Sequence, residues 1–151
     1  MQRRVVGIAI IICLMLIGYT AAGAEDAKSF PNLMGTWIDA NRVILHVKGK
    51  THAKCGLRVF KQEGPYFRAT HFWELTDKKN PPHTVGGKRV HKAEEPILGV
   101  IGFDGKTIYL VEHNDWGMKF ARLIEPNKME VVYMEAGPGA AITRFYYTRK
   151  K

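Results

Sequence analysis

From residue 33 onward, no long window of this chain repeats its apolar residues at helical spacing. Short runs rich in Val, Ile, Phe, Tyr and Thr alternate between two faces instead, and turn residues separate them. That pattern commits the chain to an all-β fold. In "YFRATHFWEL" (66–75), Phe67, Ala69, His71, Trp73 and Leu75 point one way, while Arg68, Thr70 and Glu74 point the other. In the run after Ala40, Val43, Leu45 and Val47 share one face, and Arg42, His46 and Lys48 share the opposite one. "GVIGFDGKTIYLVE" (99–112) carries the strongest local signal. Two β-rich runs flank Asp104-Gly105, a pair suited to a tight hairpin because both residues tolerate positive φ.

Further turns fall at "HNDWG" (113–117), "EPNK" (125–128) and "AGPG" (136–139). These divide the chain into about eight or nine strands, near 34–39, 42–48, 57–62, 65–75, 96–103, 106–112, 117–124, 128–135 and 140–149. Short connections make sequential strands neighbours, giving an antiparallel up-and-down meander. A meander of about eight strands closes into a barrel whose interior is filled or ligand-sized; a two-sheet sandwich is the competing architecture. The one long irregular segment is 76–96, with Pro81, Pro82, Gly86, Gly87 and several basic residues. It reads as a mobile basic loop over one end.

The first 24 residues stand apart. Arg3 and Arg4 precede an apolar run from Val5 to Ile17, and Ala22-Gly23-Ala24 supplies small residues for cleavage. The run covers roughly 20 Å as a helix, short of a hydrocarbon core of roughly 30 Å. Residues 1–24 are therefore expected to be a cleaved secretory signal, with residues 25–151 forming a single domain exported to the periplasm or the exterior. A retained membrane anchor is the alternative. Cys55 is then the only cysteine of the mature chain, so no internal disulfide forms and packing alone must hold the domain. The whole chain carries +9, and loss of Arg3 and Arg4 leaves +7. Such an excess favours anionic cell-envelope surfaces; nucleic acid is not an expected partner in that compartment.

"LMGTW" (33–37) opens the folded part of the chain. Gly35-Thr36-Trp37 at the first strand of an exported meander resembles the G-x-W signature of the calycins, the superfamily of lipocalins and avidins. "GVIGFDGKTIYLVE", followed by "VVYMEAGPGAA", also resembles small exported bacterial β-proteins. The calycin resemblance implies that Trp37 packs across the closed end of a barrel and that a basic residue of the last strand, Arg144 or Arg149, lies over it. Physically, an indole is large enough to seal a barrel end, and a guanidinium stacks on its face. Gly35 lets the entering chain pass close by. Biotin binding does not follow, because the avidin residues around biotin have no counterparts here.

Among chemistry-bearing residues, His46, His52 and Cys55 have spacing that a soft metal would accept, but no second Cys and no nearby carboxylate complete the set. No metal and no cofactor are expected. Ser29 is the mature chain's only serine and precedes the first strand, and the acids fall mostly at strand ends and turns, so no catalytic residues are assigned. His71 stands out because it falls within an apolar, core-facing series, where an imidazole must find a partner. The expected ligand-binding set is His71, Trp73, Phe67 and Tyr109, with Lys88 and Arg89 of the loop supplying positive charge; Tyr133 and Tyr146 are further aromatic candidates. The resulting reading is an exported binding barrel that holds a small amphipathic or apolar ligand at its mouth. Its alternative is a filled barrel that docks on an anionic envelope component.

Overall fold

The computed structural model describes residues 29–47, 49–77, 83–85, 88–113 and 116–151, and side chains throughout these except at 83–85, 88 and 89. The expected signal (1–24) lies outside the described residues, as do Pro81-Pro82 and Gly86-Gly87. The strands are β1 (Gly35–His46), β2 (Gly49–Glu63), β3 (Tyr66–Leu75), β4 (His83–Val85), β5 (Lys88–Val90), β6 (Lys92–Ile101), β7 (Thr107–Glu112), β8 (Gly117–Glu125), β9 (Lys128–Glu135) and β10 (Ala141–Arg149). Eight of them form a closed antiparallel barrel in the order β1-β10-β9-β8-β7-β6-β3-β2, while β4 and β5 pair as a separate hairpin. The fold is thus an all-β meander closing on itself, and the two-sheet sandwich is excluded.

Three boundaries differ from expectation. The separate runs 34–39 and 42–48 are one strand, β1, interrupted by a bulge between Asp39 and Arg42. The stretch after Val47, outside the expected strands, pairs from Gly49 with β1 as the first half of β2. The irregular segment is shorter than expected, since β4 and β5 pair as a hairpin within it and β6 begins at Lys92. The last two cases have the same cause. Charged residues on strand positions look like loop when their cross-strand partners are unknown.

The bulge reverses the alternation of β1. Beyond it, Arg42 and His46 belong to the inward set, while Val43 and Leu45 are about half exposed on the outer face. Asp104 completes the tightest turn as expected. Its carboxylate accepts from the backbone N–H of Lys106 and of Thr107, and Gly105 takes φ 69°.

At the closed end the chain enters as a strap. The Gln62 side chain accepts from Leu33 N–H (2.8 Å) and donates to the Pro31 carbonyl (2.9 Å), and Arg149 donates to the Asn32 carbonyl. Trp37 is 0% exposed, its Nε1–H donates to the Leu33 carbonyl at 2.9 Å, and the Arg149 guanidinium stands 4.5 Å from its ring centroid. Above this plug sits an apolar core that includes Leu57, Val59, Phe67, Ile97, Ile101, Ile108, Met129 and Val131. Phe67 lies across Gly99, where even a methyl group would meet the ring at 2.0 Å. The glycine is required there to let the ring lie flat over the strand.

Candidate functional site: the ionisable half of the barrel interior

The turns after β1, β3, β7 and β9 gather at the opposite end, together with the β4–β5 hairpin. Several inward positions of that loop-end half are ionisable, beside a small apolar cluster of Ala53, Cys55 and Leu75. Alternation along β3 turns His71 and Trp73 inward, along β6 Glu95, along β7 Glu112, along β8 Lys119, and along β9 Tyr133. His71, Glu95, Glu112 and Lys119 are all buried. Their strands are neighbours in the barrel, and His71 and Glu95 are direct cross-strand partners.

Glu112 is the hub. Lys119 Nζ contacts its Oε1, and His71 Nδ1 stands 3.2 Å from the same oxygen. Tyr133 Oη lies 3.4 Å from its Oε2 and donates to Glu135 at 3.0 Å. The Lys119 ammonium also sits 4.6 Å from the Tyr133 ring centroid. Gly117 makes room for this carboxylate, because a Cβ there would fall 1.9 Å from Glu112 Oε2. Trp73 Nε1–H donates to Glu95 Oε1 at 3.3 Å. His71 is only half satisfied: its Nδ1 faces Glu112, while Nε2 is buried without a hydrogen-bond partner.

Burial sets the protonation states. It pushes the His71 imidazole down to about 3, with Lys119 adding to the effect and Glu112 opposing it, so His71 is neutral. Burial alone would raise Glu112, yet contacts with His71 and Lys119 outweigh it and bring the carboxyl to about 2. Lys119 is lowered by burial against the pull of Glu112. A second buried group lies beside these. The bulge turns Arg42 inward, where it pairs with Asp39 (3.1 Å) and stacks 3.3 Å from the Phe145 ring centroid. Burial pushes the nearby Cys55 thiol up to about 11 despite the pull of Arg42. It is a protonated thiol and no nucleophile.

Of the residues singled out from sequence, His71, Trp73 and Tyr133 enter the ionisable half. Phe67 belongs to the closed-end core instead. Tyr109 and Tyr146 lie on the outer face, each 45% exposed, and line no interior pocket. The side chains of Lys88 and Arg89 lie outside those described. Arg149, not Arg144, lies over Trp37; Arg144 is exposed on the outer face of β10. His52 faces outward and Cys55 inward, so the spacing considered for a soft metal brings no ligands together. His46 bonds Thr51 instead (2.8 Å).

Glu95, Glu112, Lys119 and Arg42 were missed. For Glu112 and Lys119 a signal existed, because both continue apolar alternations, Ile108-Leu110-Glu112 and Lys119-Ala121-Leu123. The acids do fall mostly at strand ends and turns, but that placement does not keep them out of the interior. Glu95 and Glu112 sit near strand ends, yet their side chains point into the barrel.

Fold and site together define an eight-stranded closed barrel, apolar at one end and ionisable inside at the other. No protein-family model matches the chain, and no curated protein matches it. Among solved structures it is similar to EF1p2_mFAP2b bound to DFHBI, at 10% identity and a TM-score of 0.51 over 78% of this chain and 94% of that one. Two others are a de novo designed fluorescence-activating β-barrel and an S-type phycobiliprotein lyase from Guillardia theta. The first has 11% identity and a TM-score of 0.47, covering 85% of this chain and 100% of that chain. The second has 11% identity and a TM-score of 0.45, covering 79% and 89%. At these identities the likeness concerns the barrel fold.

Proposed function

We propose that this protein is an exported binding barrel that holds a small amphipathic molecule in the loop-end half of its interior. The polar group of the ligand rests against His71, Glu112 and Lys119, and its apolar part runs along Trp73, Ile44 and Leu75. The observation that carries this reading is the buried His71 ring, whose Nε2 has no hydrogen-bond partner while Nδ1 faces Glu112. A buried polar group without a partner costs about 1–3 kcal/mol, which a ligand's polar atom would remove. The calycin-like Gly35-Thr36-Trp37 plug supports the same reading, and EF1p2_mFAP2b, similar in fold, holds the small molecule DFHBI. Export rests on the order of basic, apolar and small residues in 1–24. Intact mass of the secreted or periplasmic protein should give a start near Glu25.

The test is titration of a fluorescent fatty acid and of its amine counterpart against wild type, His71→Leu and Lys119→Met. Saturable one-to-one binding of the acid, weakened at least about tenfold in each variant, is the expected result, since one lost contact of 1.4 kcal/mol has that effect. Absence of saturable binding for both probes removes the reading.

A second reading, docking on a lipid surface of the envelope, is favoured by a separate observation on the outer face. Leu98, Val111, Met118, Met134, Ile142 and Leu45 stand directly opposite one another across β6, β7, β8, β9, β10 and β1. Trp116 and Val47 at the adjacent rim are each 79% exposed. A continuous apolar row beside exposed rim residues, on a mature chain of +7, suits an anionic bilayer surface. Cosedimentation with anionic vesicles that Met118→Lys and Ile142→Lys abolish would support this second reading over the first.

A further inference from the structure

We propose that His71, Glu95 and Glu112 form a binding site for one divalent first-row transition metal, of the Zn2+ or Mn2+ kind, inside the barrel. The inference goes beyond the amphiphile-binding reading and does not depend on it. Each residue offers one donor atom, and the three atoms all lie within 4.8 Å of one another. Metal–nitrogen and metal–oxygen bonds of about 2.0–2.2 Å place the donors of one ion about 3–4 Å apart. Small side-chain movements therefore close the set, and the backbone need not move. The donors stand on three adjacent strands, β3, β6 and β7, whose register fixes them; His71 faces Glu95 directly across the β3–β6 ladder.

Two features besides proximity point to an ion. The imidazole of His71 is buried with its Nε2 unpartnered, as a metal-free ligand would be, and its Nδ1 faces the Glu112 carboxylate. The carboxylates are also held in orientation from outside the donor set. Trp73 Nε1–H donates to Glu95 Oε1 (3.3 Å), and Tyr133 Oη approaches Glu112 Oε2 (3.4 Å), leaving Oε1 on the His71 side. Metal ligands commonly have such outer partners. One imidazole and two carboxylates suit Zn2+, Mn2+ or Fe2+ rather than soft Cu(I), which prefers thiolates, or Ca2+, which takes six to eight oxygens.

Lys119 competes for this site. Its ammonium already contacts Glu112 Oε1, the oxygen next to His71, so it holds the place of positive charge that the ion would take. Binding requires the ammonium to swing aside, and removing it should tighten binding. That sets this site apart from chance uptake by exposed histidines such as His52 and His91.

Chelator-treated full-length protein is titrated calorimetrically with Zn2+, Mn2+ and Mg2+. The variants are His71→Leu, the near-isosteric Glu95→Gln, Lys119→Met and His52→Ala, each checked for a cooperative thermal transition. The expected result is saturation at one equivalent of Zn2+ or Mn2+. Affinity should fall at least about tenfold in His71→Leu and in Glu95→Gln, rise in Lys119→Met and stay unchanged in His52→Ala. The proposal is overturned by any of three results: no saturable binding in wild type and Lys119→Met, binding that both ligand variants retain, or weaker binding in Lys119→Met.

Discussion

Replacing Trp37 by Ala tests the closed end. The indole is fully buried under the entering strap, donates to the Leu33 carbonyl at 2.9 Å and lies beneath Arg149. Truncating a buried Trp costs about 3–5 kcal/mol in lost transfer energy and residual cavity. Loss of the donor leaves a buried carbonyl unpaired, adding about 1 kcal/mol, and the stacked guanidinium loses roughly 0.5–2 kcal/mol of attraction. These terms overlap, so about 4–6 kcal/mol is the working figure, a large share of a stability of roughly 5–15 kcal/mol. With a urea slope of about 1–3 kcal/mol per molar, the midpoint should fall by more than about 1 M. Trp37→Phe keeps most of the volume and loses the donor, and should cost about 1–2 kcal/mol. Both variants are unfolded in urea and followed by far-ultraviolet circular dichroism, with equal slopes checked. A loss below about 1 kcal/mol for Trp37→Ala would refute the idea that this ring seals the barrel.

Stability should fall as pH drops below about 6.5. Between the ordinary histidine value and about 3, the unfolded chain protonates His71 while the folded one does not, so protons favour unfolding in that window. Glu112, depressed to about 2, adds to the loss below about 4.5. From pH 7 to pH 4 the loss should be on the order of 3 kcal/mol, and His71→Leu should flatten the profile above pH 4.5; an unchanged profile contradicts the burial of His71. Gly117→Ala places a methyl group on the Glu112 carboxylate and should lower the thermal midpoint by several degrees, the effect of about 1–3 kcal/mol. A melt indistinguishable from wild type would show that the carboxylate lies elsewhere. Cys55 should resist a disulfide reagent at pH 8 in the folded protein and react at once in denaturant; rapid reaction of the native protein would place it at the surface.

The hairpin at Asp104-Gly105 and the alternation of β3 were legible because both are local. A turn type needs only its own residues, and a two-residue period needs only one strand. Trp37 was legible for a similar reason, through the glycine before it and its place at the first strand. The ionisable half was not, because polarity was read as a sign of exposure. Lys119 and Glu112 are tolerated inside only because each neutralises the other across strands. That compensation involves pairing between β7 and β8, and no single-strand pattern displays it. Arg42 was hidden by one extra residue in β1, which moves every later side chain to the other face. The start of β6 at Lys92 was masked by its charges, and only Glu95 among them turns inward.

The central claim is that a ligand is held in the ionisable half of the interior, against His71. Its most direct test is nuclear magnetic resonance of protein labelled in its histidine rings, titrated with a single-chain fatty acid. The account predicts that the ring signals of His71 shift saturably to a one-to-one endpoint, while those of the exposed His52 and His91 stay in place. Saturable binding that leaves the His71 ring unmoved and shifts only the exposed histidines would contradict it.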